Sequence, residues 1–156
     1  RYDPDMGSDA RLSCSSSGWA LLSTLSDDDA LALVAKQGLG LPEQFGPAAP
    51  TSLQAVMDAV AQTRERGYSM TTDTYSLGLS AMSAPVRFAG QPAFGVLTIA
   101  GPTVRFSPEK MQALAPELLS IAQQLAASSG ASPFFSLTAE TGSAAPIDGR
   151  KPIYAV

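Results

Sequence analysis

The side chains that could do chemistry in this sequence are mainly hydroxyls. Residues 13–17 form a turn of small residues, four serines around Cys14, which is the single cysteine. The chain contains no histidine, so Ser-His and Cys-His nucleophilic pairs and His-based metal sites are excluded. One cysteine cannot form a disulfide within the chain. The hydroxyls therefore favour hydrogen bonding to a ligand over bond cleavage.

The serine turn has two possible roles, because a short helical pattern begins directly after it at Gly18. Free backbone N–H groups and the helix dipole favour a ligand carboxylate at a helix start. The same serines would also form an ordinary N-cap. Trp19 offers either a stacking surface for an aromatic ligand or core packing. Cys14 is expected to be a small buried residue, because no obvious basic neighbour would activate its thiol.

Length and composition indicate one compact domain. The chain has 156 residues, of which 45% are apolar and 15% charged, enough to build a core. A net charge of -4 opposes binding to a phosphate backbone, so these residues should not bind nucleic acid alone. No apolar run reaches the roughly 20 residues of a membrane span, and no signal-peptide pattern is present. We therefore expect a cytoplasmic location without membrane contact.

Capping signals predict the helices that must position the serine turn. Ser26 precedes the acidic residues 27–29 and caps a helix that Gly38 ends; these acids serve capping and solubility, since consecutive acids on a helix point apart. Its predicted buried residues are Ala30, Leu31, Leu33 and Val34. Thr51 and Gln54 predict a capping box and a helix that ends at Gly67. Its predicted buried residues are Leu53, Val56, Met57 and Val60.

The last helix is predicted to begin with Ser107 and Pro108 and to end at Gly130. Pro116 lies inside this pattern and should kink or split the helix. The predicted buried stripe comprises Met111, Leu114, Leu118, Ile121, Ala122 and Leu125. Residues 131–156 are an Ala/Ser/Gly/Pro-rich extension of the 1–130 domain, with 134–135 and 153–154 as docking points.

A β-hairpin is the clearest strand signal. After an extended stretch at 68–73, two β runs at 79–88 and 93–100 flank a turn around Gly90. This register places Met82 opposite Ile99 and Ala84 opposite Leu97 on an apolar face. On the other face, Ala81 opposes Ala100 and Ser83 opposes Thr98. This small, mildly polar face suits the wall of a ligand cavity, although Pro92 could lengthen the turn and shift the register.

Helices around an antiparallel hairpin give an α+β fold, a curved antiparallel sheet flanked by helices as in GAF and PAS sensory domains. With these elements placed, the chain resembles the effector-binding domain of IclR-type transcriptional regulators. The resemblance runs over residues 6–130 and rests on four motifs in order. They are Gly-Trp-Ala-Leu-Leu-Ser from Gly18, Arg-Glu-Arg-Gly-Tyr-Ser from Arg64, Gly-Leu-Ser-Ala-Met-Ser-Ala-Pro-Val from Gly78 and Ile-Ala-Gly-Pro from Ile99.

The resemblance implies a domain that binds a small effector, often a carboxylate or aromatic acid, and signals to a winged helix-turn-helix on the same polypeptide. It also implies homodimers or homotetramers, and it places the DNA-binding region and the first strands upstream of Arg1. No cofactor, metal or catalytic residue is expected. The candidate effector-binding residues implied by the resemblance are Ser16, Ser17, Thr71, Ala81, Thr98 and Ala100. The hairpin register adds Ser83.

Three departures from the family pattern predict an effector that differs from those of well-known members. Trp19 stands where the family has Lys, Ala81 where it has Cys, and Thr71 where some members have an acid. Two other classes of function remain open: a stand-alone GAF/PAS-like binding or dimerisation module, and an enzyme using carboxylates or Lys. A winged helix encoded upstream of Arg1 would indicate a regulator instead of a stand-alone module. Turnover of a bound ligand would indicate an enzyme. We predict a regulator domain that is not an enzyme.

Overall fold

The computed structural model describes residues 11–129 and confirms the α+β class. Four helices surround a three-stranded antiparallel sheet in this range. The helices are α1 (Ser16–Leu22), α2 (Asp27–Gln37), α3 (Leu53–Arg66) and α4 (Pro108–Ser129). The strands are β1 (Ser69–Thr72), β2 (Leu79–Val86) and β3 (Gly95–Pro102). The proposed extension at 131–156, with both of its docking points, lies outside the described residues.

The hairpin forms in the predicted register. β2 lies between β1 and β3, and the pairs Ser83↔Thr98 and Met82↔Ile99 are both present. The ladder ends at Val86↔Gly95, so the prediction that the strands extend to residues 88 and 93 is wrong. Proline cannot donate a ladder hydrogen bond, and the loop containing Pro92 is accordingly longer than two residues.

The sheet has two chemically distinct faces, because side chains alternate along each strand. The face that packs against α4 is the apolar face, formed by Met70, Met82, Ala84, Val86, Leu97 and Ile99. The face that packs against α1 is the hydroxyl face, formed by Ser69, Thr71, Ala81, Ser83, Thr98 and Ala100. β3 has no strand on its outer side within residues 11–129 and carries no charged side chain.

α4 covers the apolar face with a stripe that differs from the predicted one. The buried residues are Met111, Ala115, Leu118, Ala122 and Ala126. The prediction that Ile121 and Leu125 are buried is wrong, because they are 40% and 43% exposed. Alanine at three stripe positions lets the helix approach the sheet closely. The helix is continuous through Pro116, which is exposed, so water can hydrate the carbonyl group that loses its partner there.

A second hydrophobic cluster holds α1, α2 and α3 together. It contains Leu22, Ala30, Val34, Val56 and Val60, all of them buried. Ala30, Val34, Val56 and Val60 were predicted to be buried, whereas Leu33 and Leu53 are exposed. Arg64 at the end of α3 secures the α1–α2 connection, because its guanidinium donates to Asp27 (2.5 Å), the Ser23 carbonyl (3.1 Å) and the Leu25 carbonyl (2.8 Å).

The start of α3 lies one residue later than predicted. Ser52 is the N-cap, and its hydroxyl accepts a hydrogen bond from the Ala55 N–H at 3.1 Å. The Gln54 amide donates to Asp58 at 2.8 Å instead of closing a capping box. Thr51 therefore does not cap the helix. The predicted ends at Gly38 and Gly67 are confirmed, and both glycines have positive φ angles that other residues rarely adopt.

Candidate functional site

Hydroxyl groups from α1 and all three strands form one connected chain. The Ser16 Oγ lies 2.7 Å from the Ser69 Oγ and 2.8 Å from the Ser83 Oγ. The Ser83 Oγ lies 2.8 Å from the Thr98 Oγ1. Ser16, Ser69 and Ser83 are buried, whereas Thr98 is exposed on β3. We call these four residues the hydroxyl chain, which runs from the interior of the domain to its surface.

Local structure at the serine turn fixes the position of Ser16. The Ser15 hydroxyl accepts a hydrogen bond from the Gly18 N–H at 3.0 Å and caps α1. The Trp19 indole donates to the Ser13 carbonyl at 3.0 Å. A Cβ on Gly18 would lie 2.5 Å from the Leu12 carbonyl oxygen, so only glycine permits this approach. The capping role of the turn and the core packing of Trp19 are therefore both present.

Two loops, one containing Gly40 and Gly46 and the other containing Thr74, donate hydrogen bonds to the serine turn. The Gly40 N–H donates to the Ser13 hydroxyl at 2.8 Å, and the Thr74 hydroxyl donates to the Cys14 carbonyl at 2.7 Å. The same loops join each other, because the Gly46 N–H donates to the Thr74 carbonyl at 3.1 Å. The turn is therefore held in one conformation by hydrogen bonds to residues distant in sequence.

Cys14 is completely buried within this turn. Burial raises the pKa of its thiol to about 11, although hydrogen bonding to Ser13 and the charge of Arg11 act in the opposite direction. The thiol is therefore protonated near neutral pH and is not a nucleophile. This agrees with the prediction of a small buried residue.

The structure brings most of the predicted site residues together. Ser16, Ser83 and Thr98 belong to the hydroxyl chain. In the next row of the same face, Thr71 pairs with Ala81, and Ala81 pairs with Ala100. The Thr71 hydroxyl donates to the Ala81 carbonyl at 3.2 Å. Binding of an effector by these residues stays a prediction.

Ser17 stands apart from the other candidates. Its Oγ lies 3.3 Å from the Ser15 Oγ, so its hydrogen-bond contact is within the turn and not with the sheet. Ser69, in contrast, was not predicted, yet it connects β1 to α1. The signal was available, because Ser69 precedes Thr71 by two residues on one strand and alternation places both on the same face.

Two open cavities lie elsewhere, between β3 and α4. One of about 320 Å³ is lined by residues including Arg105 and Lys110, and one of about 240 Å³ by residues including Glu117. Both include Ile99 of the apolar face, and no residue of the hydroxyl chain lines either cavity, although the candidate residue Ala100 lines the one of about 320 Å³. Residues 11–129 contain no group of three His, Cys, Asp or Glu side chains that could hold a metal ion. None of the helices described is long and apolar enough to cross a membrane.

Comparison with known proteins identifies the fold. Residues 1–127 match the family described as "Bacterial transcriptional regulator IclR C-terminal". This chain belongs to that family. The match covers the whole of the described sheet and nearly all of α4, and it confirms the resemblance carried by the four motifs.

Curated relatives in the IclR family are regulators by name. The acetate operon repressor of Salmonella typhimurium is 27% identical over 125 residues, which are 80% of this chain and 44% of the repressor. The HTH-type transcriptional regulator BhcR of Paracoccus denitrificans is 29% identical over 84 residues, 53% of this chain and 30% of BhcR. The chain thus spans less than half the length of these relatives.

Solved structures agree with the IclR-type fold. The C-terminal domain of the Escherichia coli regulator KdgR superposes with a TM-score of 0.66 at 25% identity, covering 74% of this chain and 69% of that domain. The inducer-binding domain of PobR from Acinetobacter, a double mutant in complex with 3-hydroxybenzoic acid, gives a TM-score of 0.64 at 24% identity, covering 74% of this chain and 65% of that one.

Proposed function

We propose that this IclR-type domain binds a small-molecule effector, a carboxylate or aromatic acid, on its hydroxyl face. The observation that carries the proposal is the hydroxyl chain, which links buried serines to the exposed Thr98. Buried hydroxyls add little to folding stability compared with apolar packing. A face that is rich in them and open at one edge is better suited to recognising a ligand than to forming a core.

The effector site would lie between α1 and the outer part of the sheet. The candidate residues are Ser16, Ser17, Thr71, Ala81, Ser83, Thr98 and Ala100. Ala100 and Thr98 are the exposed members on β3 and would meet the ligand first. Ala81 has no hydrogen-bonding side chain and would act through its size. A double mutant of the PobR inducer-binding domain forms a complex with 3-hydroxybenzoic acid, which supports aromatic acids as the first compounds to test.

We further propose that the effector controls DNA binding by a winged helix-turn-helix on the same polypeptide, in a cytoplasmic homodimer or homotetramer. The family match and the names of the relatives support a regulatory role. The net charge of -4 makes these residues themselves a poor surface for DNA. Reading the gene upstream of Arg1 tests this part, because the absence of a winged helix would favour a stand-alone GAF/PAS-like module.

Thermal unfolding with a panel of small carboxylates and aromatic acids tests effector binding. A ligand present at one hundred times its dissociation constant should add about 2.7 kcal/mol to the free energy of unfolding. Thr98→Val should reduce the ligand-induced rise in melting temperature. Thr72→Val, a similar substitution in β1 on the opposite face of the sheet, should leave that rise unchanged. If no compound in a broad panel raises the melting temperature, the proposal is wrong.

A further inference from the structure

We propose that the effector presents a hydrogen-bond donor, such as a hydroxyl group, to Thr98, and that an acceptor such as a carboxylate is disfavoured at this position. This inference rests on the proposed function and specifies the ligand group at one end of the same site. The observation behind it is the direction in which the four hydroxyls donate to one another. That direction follows from the oxygen–oxygen distances.

The inner end of the hydroxyl chain fixes its direction. The Ser69 Oγ lies 2.7 Å from the carbonyl oxygen of Ser16. A carbonyl oxygen has no hydrogen to donate, and a serine hydroxyl has only one. Two oxygens this close repel each other unless a hydrogen lies between them. Ser69 must therefore donate its only hydrogen to the Ser16 carbonyl.

In each of the remaining contacts between two hydroxyls, only one of the two can then be the donor. Ser69 has no hydrogen left, so Ser16 donates to Ser69 across 2.7 Å. Because the Ser16 hydrogen is used there, Ser83 donates to Ser16 across 2.8 Å. Thr98 in turn donates to Ser83 across 2.8 Å. All four hydroxyls thus point inward, from the surface towards α1.

Thr98 consequently faces the outside as an acceptor. Its single hydrogen is directed at Ser83, and only the lone pairs of its oxygen remain for a ligand. A ligand hydroxyl or N–H group can donate to them. A carboxylate could accept from Thr98 only at a cost. Either Thr98 gives up its hydrogen bond to Ser83, or all four hydroxyls turn round, which would leave the Ser69 Oγ and the Ser16 carbonyl oxygen 2.7 Å apart with no hydrogen between them.

The effector class that fits is therefore an acid that also carries a hydroxyl or N–H group. That donor would contact Thr98, and the carboxylate would lie away from the hydroxyl chain. A plain carboxylic acid would leave the lone pairs of Thr98 to water. This narrows the wider class of carboxylates and aromatic acids to members that also carry a donor.

Neutron diffraction from deuterium-exchanged crystals of the full chain tests the direction without any ligand. The expected maps show the Thr98 deuterium pointing to Ser83 and the Ser69 deuterium pointing to the Ser16 carbonyl. A Thr98 deuterium pointing away from Ser83, with Ser83 donating to Thr98, would overturn this inference alone and leave the proposed function standing.

Calorimetric titration of the full chain with a matched pair of compounds tests the selection. The pair is 3-hydroxybenzoate, which has a donor at the meta position, and 3-formylbenzoate, which has a neutral acceptor there. The gain of one hydrogen bond predicts binding of the hydroxy compound that is about threefold to tenfold tighter. Equal or reversed affinities in the wild-type chain contradict the inference. Failure of both compounds to bind, together with failure of every compound in the thermal-unfolding panel, overturns the proposed function.

Two variants separate this mechanism from a general loss of structure. Thr98→Val removes the acceptor and should bring the affinity ratio of the pair close to one. Ser69→Ala removes the group that fixes the direction, so Thr98 can then donate outward and the ratio should also fall, with 3-formylbenzoate binding more tightly than before. Ser80→Ala, at an equally buried serine on the apolar side of β2, should keep the wild-type ratio.

Discussion

Cys14 shows how strongly the fold can change the chemistry of one side chain. The thiol is fully buried in the serine turn, and burial raises its pKa from 9.0 to about 11. The folded domain therefore holds this proton more tightly than the unfolded chain does. The resulting stabilisation is complete below pH 9 and is lost as the pH rises through about 11.

We predict that the wild-type domain loses stability between pH 9 and 11 more steeply than Cys14→Ala does. The shift in pKa corresponds to a differential loss of at most about 2.7 kcal/mol. Urea unfolding of both proteins at several pH values measures it. Comparison with the variant cancels the contributions of all other groups, which are the same in both proteins. Parallel stability profiles would show that the thiol does not contribute.

At the level of residues, the sequence predicted the polar positions better than their connections. Ser83 and Thr98 were paired correctly, because alternation along two strands fixes which side chains share a face. Ser69 was missed although it lies in the predicted extended stretch at 68–73, because the contact that gives it importance comes from α1, 53 positions away in sequence. Contacts of that kind depend on helix packing, which a strand pattern does not encode.

Among the elements, α1 is positioned by an unusually close approach of two backbones. Gly18 lies where any Cβ would overlap the Leu12 backbone, at 2.5 Å from its carbonyl oxygen. In an exposed helix, glycine to alanine normally stabilises by about 1 kcal/mol. Here the added methyl group meets backbone atoms, which cannot move aside as a flexible side chain can.

We therefore predict the opposite sign for Gly18→Ala, a loss of about 2 kcal/mol or more in the free energy of unfolding. Denaturant unfolding gives the value. Gly95→Ala is the matched control, because its new Cβ would lie 3.8 Å from the Val86 Cβ, an ordinary contact, and it should change stability little. A stabilised Gly18→Ala protein would mean that α1 can shift away from residue 12.

Element boundaries were predictable where glycine marks a helix end and, at the start of α2, where Ser26 caps the helix. Gly38 and Gly67 end their helices as expected, since each adopts a positive φ angle. The predicted stripe of α4 relied mainly on large side chains; it included Ala122, which is buried, but overlooked Ala115 and Ala126. A helix buries the face that allows the closest packing, and the sequence period alone does not distinguish that face from a neighbouring one.

On the scale of the whole molecule, two hydrophobic clusters lie on either side of the hydroxyl face. One joins α4 to the sheet, and the other joins α1, α2 and α3. They have no residue in common among those described. The layer between them consists of small side chains and hydroxyl groups, so apolar contacts do not carry packing changes directly from one cluster to the other.

We predict that core substitutions in the two clusters act independently. Val60→Ala and Val86→Ala should each destabilise the domain by about 2 kcal/mol, from lost apolar burial and the cavity left behind. The double variant should equal the sum of the two within about 0.5 kcal/mol. Denaturant unfolding of the four proteins in this cycle measures the coupling. A coupling well above that value would show that the hydroxyl layer transmits strain between the clusters.

The α+β class and the hairpin register could be predicted because both depend on local patterns, the helix period and strand alternation. The arrangement of two separate clusters around a polar layer could not. It depends on which helix covers which face of the sheet, and the composition of α1 alone is compatible with either face.

The outer edge of β3 has a consequence for handling this polypeptide. The strand presents unpaired backbone N–H and C=O groups within the described range, and no charge from Gly95 to Pro102 repels an approaching strand. Natural edge strands commonly carry lysine, proline or a bulge that prevents intermolecular pairing, and the proline of β3, Pro102, stands only at the last position of the strand. In concentrated solutions of these residues alone, lateral association through β3 therefore competes with the monomer, and a lysine at an exposed position of this strand would be the direct means of suppressing aggregation.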